Sequence, residues 1–88
     1  MVVNETGTAS LQCEVKGNPT PQVKWLKENS SLSFDKRILQ SRGGLMIRDV
    51  TSQDEGEYTC NARNILGVVT SSATLTVQGK YLLESYIT

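Results

Sequence analysis

The chain has 88 residues and can therefore enclose one small core but not two. Nine lysine and arginine side chains balance nine aspartate and glutamate side chains, and they are scattered along the chain. This balance leaves no electrostatic basis for binding nucleic acid or an anionic membrane. Every apolar run is far shorter than the roughly 20 residues of a membrane-spanning helix, so we expect no such span.

Two strands are predicted in the first third of the chain, because apolar and polar residues alternate there as in a strand with one buried face. The side chains expected to point inwards are Ala9, Leu11, Cys13 and Val15 in the first strand, and Val23 and Trp25 in the second. Residues 16–21 contain a glycine and two prolines, which cannot pair regularly and so predict a loop. Residues 28–33 form a polar connection.

Short strands are predicted through the rest of the chain as well. Phe34 and the pair Ile38-Leu39 indicate weak strands, and residues 42–44 indicate a turn in which glycine accepts a positive φ. The later inward rows are Leu45, Ile47 and Val50, then Tyr58, Cys60 and Ala62, and finally Val69, Ser71, Ala73, Leu75 and Val77. Residues 63–67 are predicted to form a hairpin tip. About seven short strands with a turn roughly every 10 residues predict an all-β sandwich or barrel.

Two cysteines and a tryptophan carry the most specific pattern in the sequence. Trp25 follows Cys13 by 12 residues, and Cys60 follows Cys13 by 47. A disulfide can bridge two sheets that lie about 10 Å apart, while an indole packs over the sulfurs and fills the remaining gap. Tyr58 lies two residues before Cys60, where the tyrosine-corner motif places a phenol that bonds to upstream backbone.

Five segments of the chain resemble the I-set immunoglobulin domains of adhesion molecules, receptor ectodomains and giant muscle proteins. They are residues 17–21, 23–27, 45–50, 54–67 and 73–77, within a region of similarity from Val3 to Val77. The resemblance implies an immunoglobulin-like Greek-key β-sandwich of two antiparallel sheets over residues 1–78, with a disulfide between Cys13 and Cys60. It also implies a structural ion pair between Asp54 and Arg37.

The two ends of the chain depart from the family pattern. Val2 to Asn4 supplies only the short second part of the usual first strand, so we expect residues 1–78 to lack a full first strand. The edge of the strand over residues 9–15 is then expected to be unpaired and open to another chain. Residues 79–88 are interpreted as a tail or linker, and their five apolar or aromatic residues suggest packing on this domain or strand addition, including dimerisation with a second copy. A disordered linker is the alternative.

Nothing in the sequence supports catalysis, a cofactor or a metal site. The chain has no histidine, which removes imidazole bases and His-containing zinc sites. The acidic residues between 49 and 57 do not match the spacing of a calcium-binding EF-hand loop. We therefore predict that the protein is not an enzyme.

Candidate partner contacts and glycosylation sites lie on predicted faces, edges and loops. Lys24, Leu26 and Arg63 point outwards from one polar, weakly basic sheet face, for which a plain solvent boundary is the alternative. The other outward residues of this face are Gln22, Thr59 and Asn61. Ile65 and Leu66 offer apolar side chains at the hairpin tip, where local packing beneath the loop is the alternative. The sequons at Asn4 and Asn29 are candidate glycosylation sites.

The sequence therefore predicts a binding module of an extracellular adhesion molecule or cell-surface receptor, with protein partners that include a second copy of itself. An intracellular structural or scaffold domain of a muscle or cytoskeletal protein is the alternative. No nucleic acid partner and no cofactor are expected. An oxidised pair of cysteines fits the extracellular compartment.

Overall fold

The computed structural model describes residues 1–32, 35–41 and 43–79, which form two β-sheets. The elements are β1 (Val2–Asn4), β2 (Ala9–Gln12), β3 (Gln22–Lys27), β4 (Ser30–Ser31), β5 (Ile38–Ser41), β6 (Gly44–Ile47), a 3₁₀ turn (Ser52–Asp54), β7 (Gly56–Asn64) and β8 (Gly67–Gln78). One sheet has five strands in the order β1-β8-β7-β3-β4, and the other has three in the order β2-β6-β5. The predicted all-β sandwich is confirmed.

The five-stranded sheet is built around two long antiparallel contacts. Trp25 of β3 lies opposite Cys60 of β7, and Cys60 lies opposite Ser71 of β8. On the other side of β8, β1 runs parallel to it, with Val2 opposite Thr76 and Asn4 opposite Gln78. β1 therefore covers only the last part of the edge of β8.

The core lies between the two sheets and contains part of the inward rows that the sequence predicted. Its buried members are Ala9, Leu11, Trp25, Leu45, Ile47, Val50, Tyr58, Cys60 and Leu75. Cys13 and Cys60 form the expected disulfide, with 6.3 Å between their Cα atoms. The Trp25 indole donates a hydrogen bond from Nε1 to the Gly43 carbonyl at 3.3 Å, which satisfies its polar atom inside the core.

The first predicted strand ends earlier than the alternation suggested. β2 stops at Gln12, so Cys13 and Val15 lie beyond it and are only half-buried. The Cys13 N–H instead bonds to the Gly43 carbonyl at 2.7 Å, in a turn where Gly43 has a φ of 70°. The predicted turn contains this glycine, whereas Phe34 and Arg42 lie outside the described residues.

Two predictions about which side chains are buried in the five-stranded sheet were wrong. Val69, Ser71 and Ala73 belong to the inward row of β8 but are exposed, because β1 does not reach them and no other described strand covers them. Thr59 was expected on the solvent face but is buried, and its hydroxyl pairs with the Ser72 hydroxyl at 2.8 Å. The expected polar connection after β3 also contains a strand, β4.

A polar network closes the end of the sandwich where β7 begins. The Tyr58 hydroxyl donates to the Asp54 carbonyl at 2.6 Å, and burial raises the pKa of this phenol to about 12. Arg37 donates to the Asp54 carboxylate at 2.9 Å, so the implied ion pair is present. Burial opposes ionisation of Asp54, but hydrogen bonds from Arg37 and the Thr51 N–H outweigh it and lower its pKa.

Candidate protein-binding surface

The outer face of the five-stranded sheet brings together three of the predicted contact residues. Strand register places Gln22, Arg63 and Val68 in one row across β3, β7 and β8, and Lys24, Asn61 and Thr70 in the next. A shallow depression of about 630 Å³ on this face is lined by Gln22, Val23, Lys24, Leu26, Asn61 and Arg63. Lys24, Leu26 and Arg63 therefore share one surface.

The charge on this face is positive towards the hairpin end. Lys24 and Arg63 are exposed there, while two acidic residues lie towards the opposite end, Glu28 directly after β3 and Glu57 near the start of β7. The Glu28 carboxylate is engaged locally, because it accepts a hydrogen bond from the Glu57 N–H at 2.8 Å. A partner that meets the hairpin end of this face would encounter two cations and several amide or hydroxyl groups.

The hairpin between β7 and β8 presents two apolar side chains to solvent. Ile65 is 87% exposed and Leu66 is 77% exposed, which contradicts local packing beneath the loop. The turn has only these two residues between the strands, whereas the sequence suggested a longer tip over 63–67.

Asn64 braces this tip, and sequence reasoning did not identify it. Its Oδ1 accepts a hydrogen bond from the Leu66 N–H at 2.8 Å, and its Nδ2 donates to the Pro19 carbonyl at 2.9 Å. One amide side chain therefore joins the hairpin to the loop over residues 16–21. Asparagine commonly stabilises turns through such bonds, so a signal was available in the sequence. Val68, which is 54% exposed beside Arg63, was also missed.

The two sequons lie at the end of the sandwich opposite the apolar tip. Asn4 is exposed on β1 opposite Gln78, the last residue of β8. Asn29 is exposed in the turn after β3, with a φ of 62°, two residues beyond Lys27. Lys27 pairs with Tyr58 of β7, which in turn pairs with Ala73 of β8. Because Asn29 lies two residues beyond Lys27, it is near the level of Leu75. Glycans on either asparagine would leave the hairpin tip uncovered.

Neither metal-binding clusters nor membrane spans are found in the described part of the chain. Within residues 1–32, 35–41 and 43–79, no three His, Cys, Asp or Glu side chains are grouped so that they could hold a metal ion. The same residues contain no helix of the length and apolarity needed to cross a membrane.

Comparison with known sequences places this pattern of strands and core residues among immunoglobulin domains. The family model for the immunoglobulin I-set domain matches residues 1–77. Vascular endothelial growth factor receptor 1 of Rattus norvegicus is 44% identical over 79 residues, which covers 88% of this chain and 6% of the receptor. Neuronal cell adhesion molecule of Gallus gallus is 42% identical over 78 residues, covering 86% of this chain and 6% of that protein. The chain thus spans only a small fraction of these relatives.

Solved structures show the same architecture in both receptor and muscle proteins. The tandem Ig repeats of Dlar superpose with a TM-score of 0.84 at 30% identity, covering 90% of this chain and 43% of that one. Titin domain M7 superposes with a TM-score of 0.78 at 28% identity, covering 89% of this chain and 84% of that one.

Proposed function

Because this chain belongs to the immunoglobulin I-set family, we propose that it is a non-catalytic, protein-binding module of an extracellular adhesion molecule or cell-surface receptor. The observation that carries the compartment is the Cys13–Cys60 disulfide, since such bonds persist outside the reducing cytosol. The similarity to receptor and adhesion proteins supports the same context. The partner is a protein, and a second copy of this module is included among the candidates.

The hairpin tip and the adjoining sheet face form the proposed contact surface. Ile65 and Leu66 stand on a turn that Asn64 fixes in place, so little conformational freedom of the backbone is lost when a partner covers them. Apolar side chains of this kind act as anchors when a partner supplies a pocket. Lys24 and Arg63 would form part of the polar rim, which governs the rate of association and its salt dependence.

The contact surface is tested by changing the tip without changing the core. Beads coated with the wild-type domain are scored for self-aggregation and for adhesion to the surfaces of intact cells. We expect the double variant Ile65→Ser, Leu66→Ser to reduce whichever of these is observed by at least about tenfold, as loss of one anchoring contact would. Leu39→Ser is the matched control, because Leu39 is an exposed apolar residue on the other sheet. Equal effects of the two changes would exclude the tip as the contact.

The compartment is tested through the two sequons. Expression through a secretory pathway, followed by enzymatic glycan release, is expected to lower the mass of the wild-type domain. Asn4→Gln and Asn29→Gln should each remove part of that shift, because both asparagines are exposed. A wild-type domain that leaves the secretory pathway without a glycan would remove this support for an extracellular origin.

The second candidate function is that of an intracellular structural or scaffold domain of a muscle or cytoskeletal protein. The likeness to titin domain M7 favours it. In that compartment Cys13 and Cys60 would be reduced thiols. A variant with both cysteines changed to alanine should then remain folded at 37 °C, whereas removal of a disulfide from a small extracellular domain typically costs about 2–5 kcal/mol. Urea unfolding of the two forms distinguishes the candidates.

A further inference from the structure

The outer face of the five-stranded sheet carries opposite charges at its two ends. Arg63 and Glu57 are both exposed on β7, and both point to this face because the residues that alternate with them are buried. Each lies three residues from Cys60, so about 20 Å of strand separates the two charges. Lys24 of β3 lies beside the basic end, and Glu28 follows β3 at the acidic end. The face therefore changes from positive to negative along its strands.

The two charges on β7 are not used within the molecule. Among the residues that the structure describes, both ion pairs involve Arg37, and the side chains of Arg63 and Glu57 form no hydrogen bond. The contact between Glu57 and Glu28 uses the Glu57 backbone N–H and not its carboxylate. Both charged side chains are therefore available to a partner.

The order of these charges matches that of a second copy turned end for end. A twofold axis that crosses the strands at the level of Cys60 places Arg63 of each copy opposite Glu57 of the other. With the strands of the two copies parallel, Arg63 would meet Arg63 and Glu57 would meet Glu57, and this repulsion disfavours that arrangement. The charge pattern thus selects one antiparallel orientation.

The centre of the face fits the same orientation. Trp25 of β3 is level with Cys60, so the axis places Lys24 of one copy opposite Leu26 of the other. Leu26 is half-buried, and the methylene groups of Lys24 can cover its remaining apolar surface. The depression of about 630 Å³ lies in the basic half of the face, where it would receive the Glu57 side chain of the other copy.

The apolar hairpin tip also takes part in this arrangement. Ile65 and Leu66 continue beyond the end of β7, so each tip reaches the level of Thr76 on β8 of the other copy. Thr76 is exposed and offers its methyl group to the tip. At the same level, the Glu55 carboxylate is turned to the Val77 N–H of its own copy, which it accepts at 2.8 Å.

We propose that a second copy of this chain binds to the outer face of the five-stranded sheet, with its strands antiparallel and with two symmetric ion pairs between Arg63 and Glu57. The inference rests on the proposed function, because it names the partner of the same contact surface. Five strands about 4.8 Å apart and about 20 Å long give a face of roughly 500 Å² per copy. A total of about 1,000 Å² is typical of weak and transient complexes, so the dimer forms and dissociates readily.

Exchange of the two charges is the first test, with self-association of the full chain followed by sedimentation at low ionic strength. We expect the wild-type chain to approach twice its 9.7 kDa mass as concentration rises. Arg63→Glu and Glu57→Arg should each weaken self-association at least about tenfold, because each change places like charges opposite one another. Both residues are exposed, so neither change disturbs the core.

An equimolar mixture of the two variants decides whether the two charges meet. In a mixed dimer, both ion pairs form again with one pair reversed in sign, so we expect the mixture to associate about as strongly as the wild type. The double variant Arg63→Glu, Glu57→Arg should regain self-association for the same reason. A mixture and a double variant that associate no better than the single variants would overturn the proposal.

A matched control separates this contact from a general effect of charge. Arg48→Glu changes the net charge as Arg63→Glu does, but Arg48 is an exposed residue directly after β6 of the other sheet. We expect it to leave self-association unchanged, and an equal loss in both variants would overturn the proposal. A wild-type chain that stays monomeric at every concentration would also overturn it. Adhesion to cells that still depends on Ile65 and Leu66 would in that case leave the proposed contact surface in place.

Discussion

The two ends of β8 face the same core but differ in how they are covered. Leu75 is 0% exposed, whereas Val69, six residues earlier in the same inward row, is 59% exposed. Beside Leu75 lie β1, the 3₁₀ turn and the network of Tyr58, Asp54 and Arg37. Beside Val69 lies an open groove between β2 and β8, which is also lined by Leu11, Cys13 and Trp25. Burial along a strand is therefore set by neighbouring elements and not by the alternation of the strand itself.

The largest expected effect comes from the point where the two regions meet. Trp25 is buried in the core and also lines the groove. Changing Trp25 to Ala should lower the free energy of unfolding by about 3–5 kcal/mol, because it leaves a cavity over the disulfide that the surrounding chain cannot fill. Urea unfolding measures this change. A loss of less than about 1 kcal/mol in the free energy of unfolding would mean that the Trp25 side chain contributes little to stability.

The covered and open ends of β8 are compared directly by shortening one side chain in each. Leu75→Ala should cost about 2–5 kcal/mol, whereas Val69→Ala should change the free energy of unfolding by less than about 0.5 kcal/mol. Val50→Ala is the like-for-like control, since Val50 is a fully buried valine. Similar costs for Val69 and Val50 would show that the groove is closed in solution. These measurements are made on the chain ending at Gln78.

The hydrogen bond of the tyrosine corner makes a smaller contribution at the covered end. Tyr58→Phe keeps the buried ring but removes the donor to the Asp54 carbonyl. We expect a loss of about 1–2 kcal/mol in the free energy of unfolding, because a buried carbonyl is left without its partner. Thr59→Val provides a comparison, because it removes a hydroxyl that bonds to the Ser72 side chain and not to a backbone carbonyl among the described residues. No loss for Tyr58→Phe would indicate that water replaces the bond.

The smallest expected effect is a dependence of stability on acid pH at the covered end. The pKa of Asp54 is lower in the folded state than its ordinary value of 3.8, so the unfolded chain binds protons more readily. The stabilising contribution is therefore complete above about pH 4 and is lost as the pH falls through the lower folded value. Asp54→Asn should flatten the curve of unfolding free energy against pH below 4. Part of the slope of this curve should remain in the variant, because the pKa of Asp35 is also lowered, mainly by the hydrogen bond from the Arg37 N–H.

The sequence was sufficient for features that depend on residue type and alternation. Cys13, Trp25 and Cys60 specify a disulfide-centred sandwich because few other folds bring these side chains together between two sheets. Tyr58 was found in the same way, since its distance from Cys60 along the strand fixes its position.

Features that depend on neighbouring elements were not predictable from alternation. Val69 has the pattern of a buried residue but lacks a covering strand, and Thr59 has the pattern of an exposed residue but is buried beside Ser72. Asn64 acquires its role only when the loop over residues 16–21 reaches the hairpin. In the candidate surface, residue types were enough to suggest Ile65 and Leu66. The hydrogen bonds through which Asn64 holds their turn could be identified only in the folded structure.

The parallel pairing of β1 with β8 has a mechanical consequence. A tensile force applied at Met1 and Gly79 pulls these two strands in opposite directions, so their interstrand bonds at Val2–Asn4 are loaded in shear together and not broken one by one. Once β1 slips, the bond between Cys13 and Cys60, whose positions differ by 47, keeps the segment that it closes from lengthening. Extension is then limited to the residues outside that covalent ring, which caps how far one module can stretch under load.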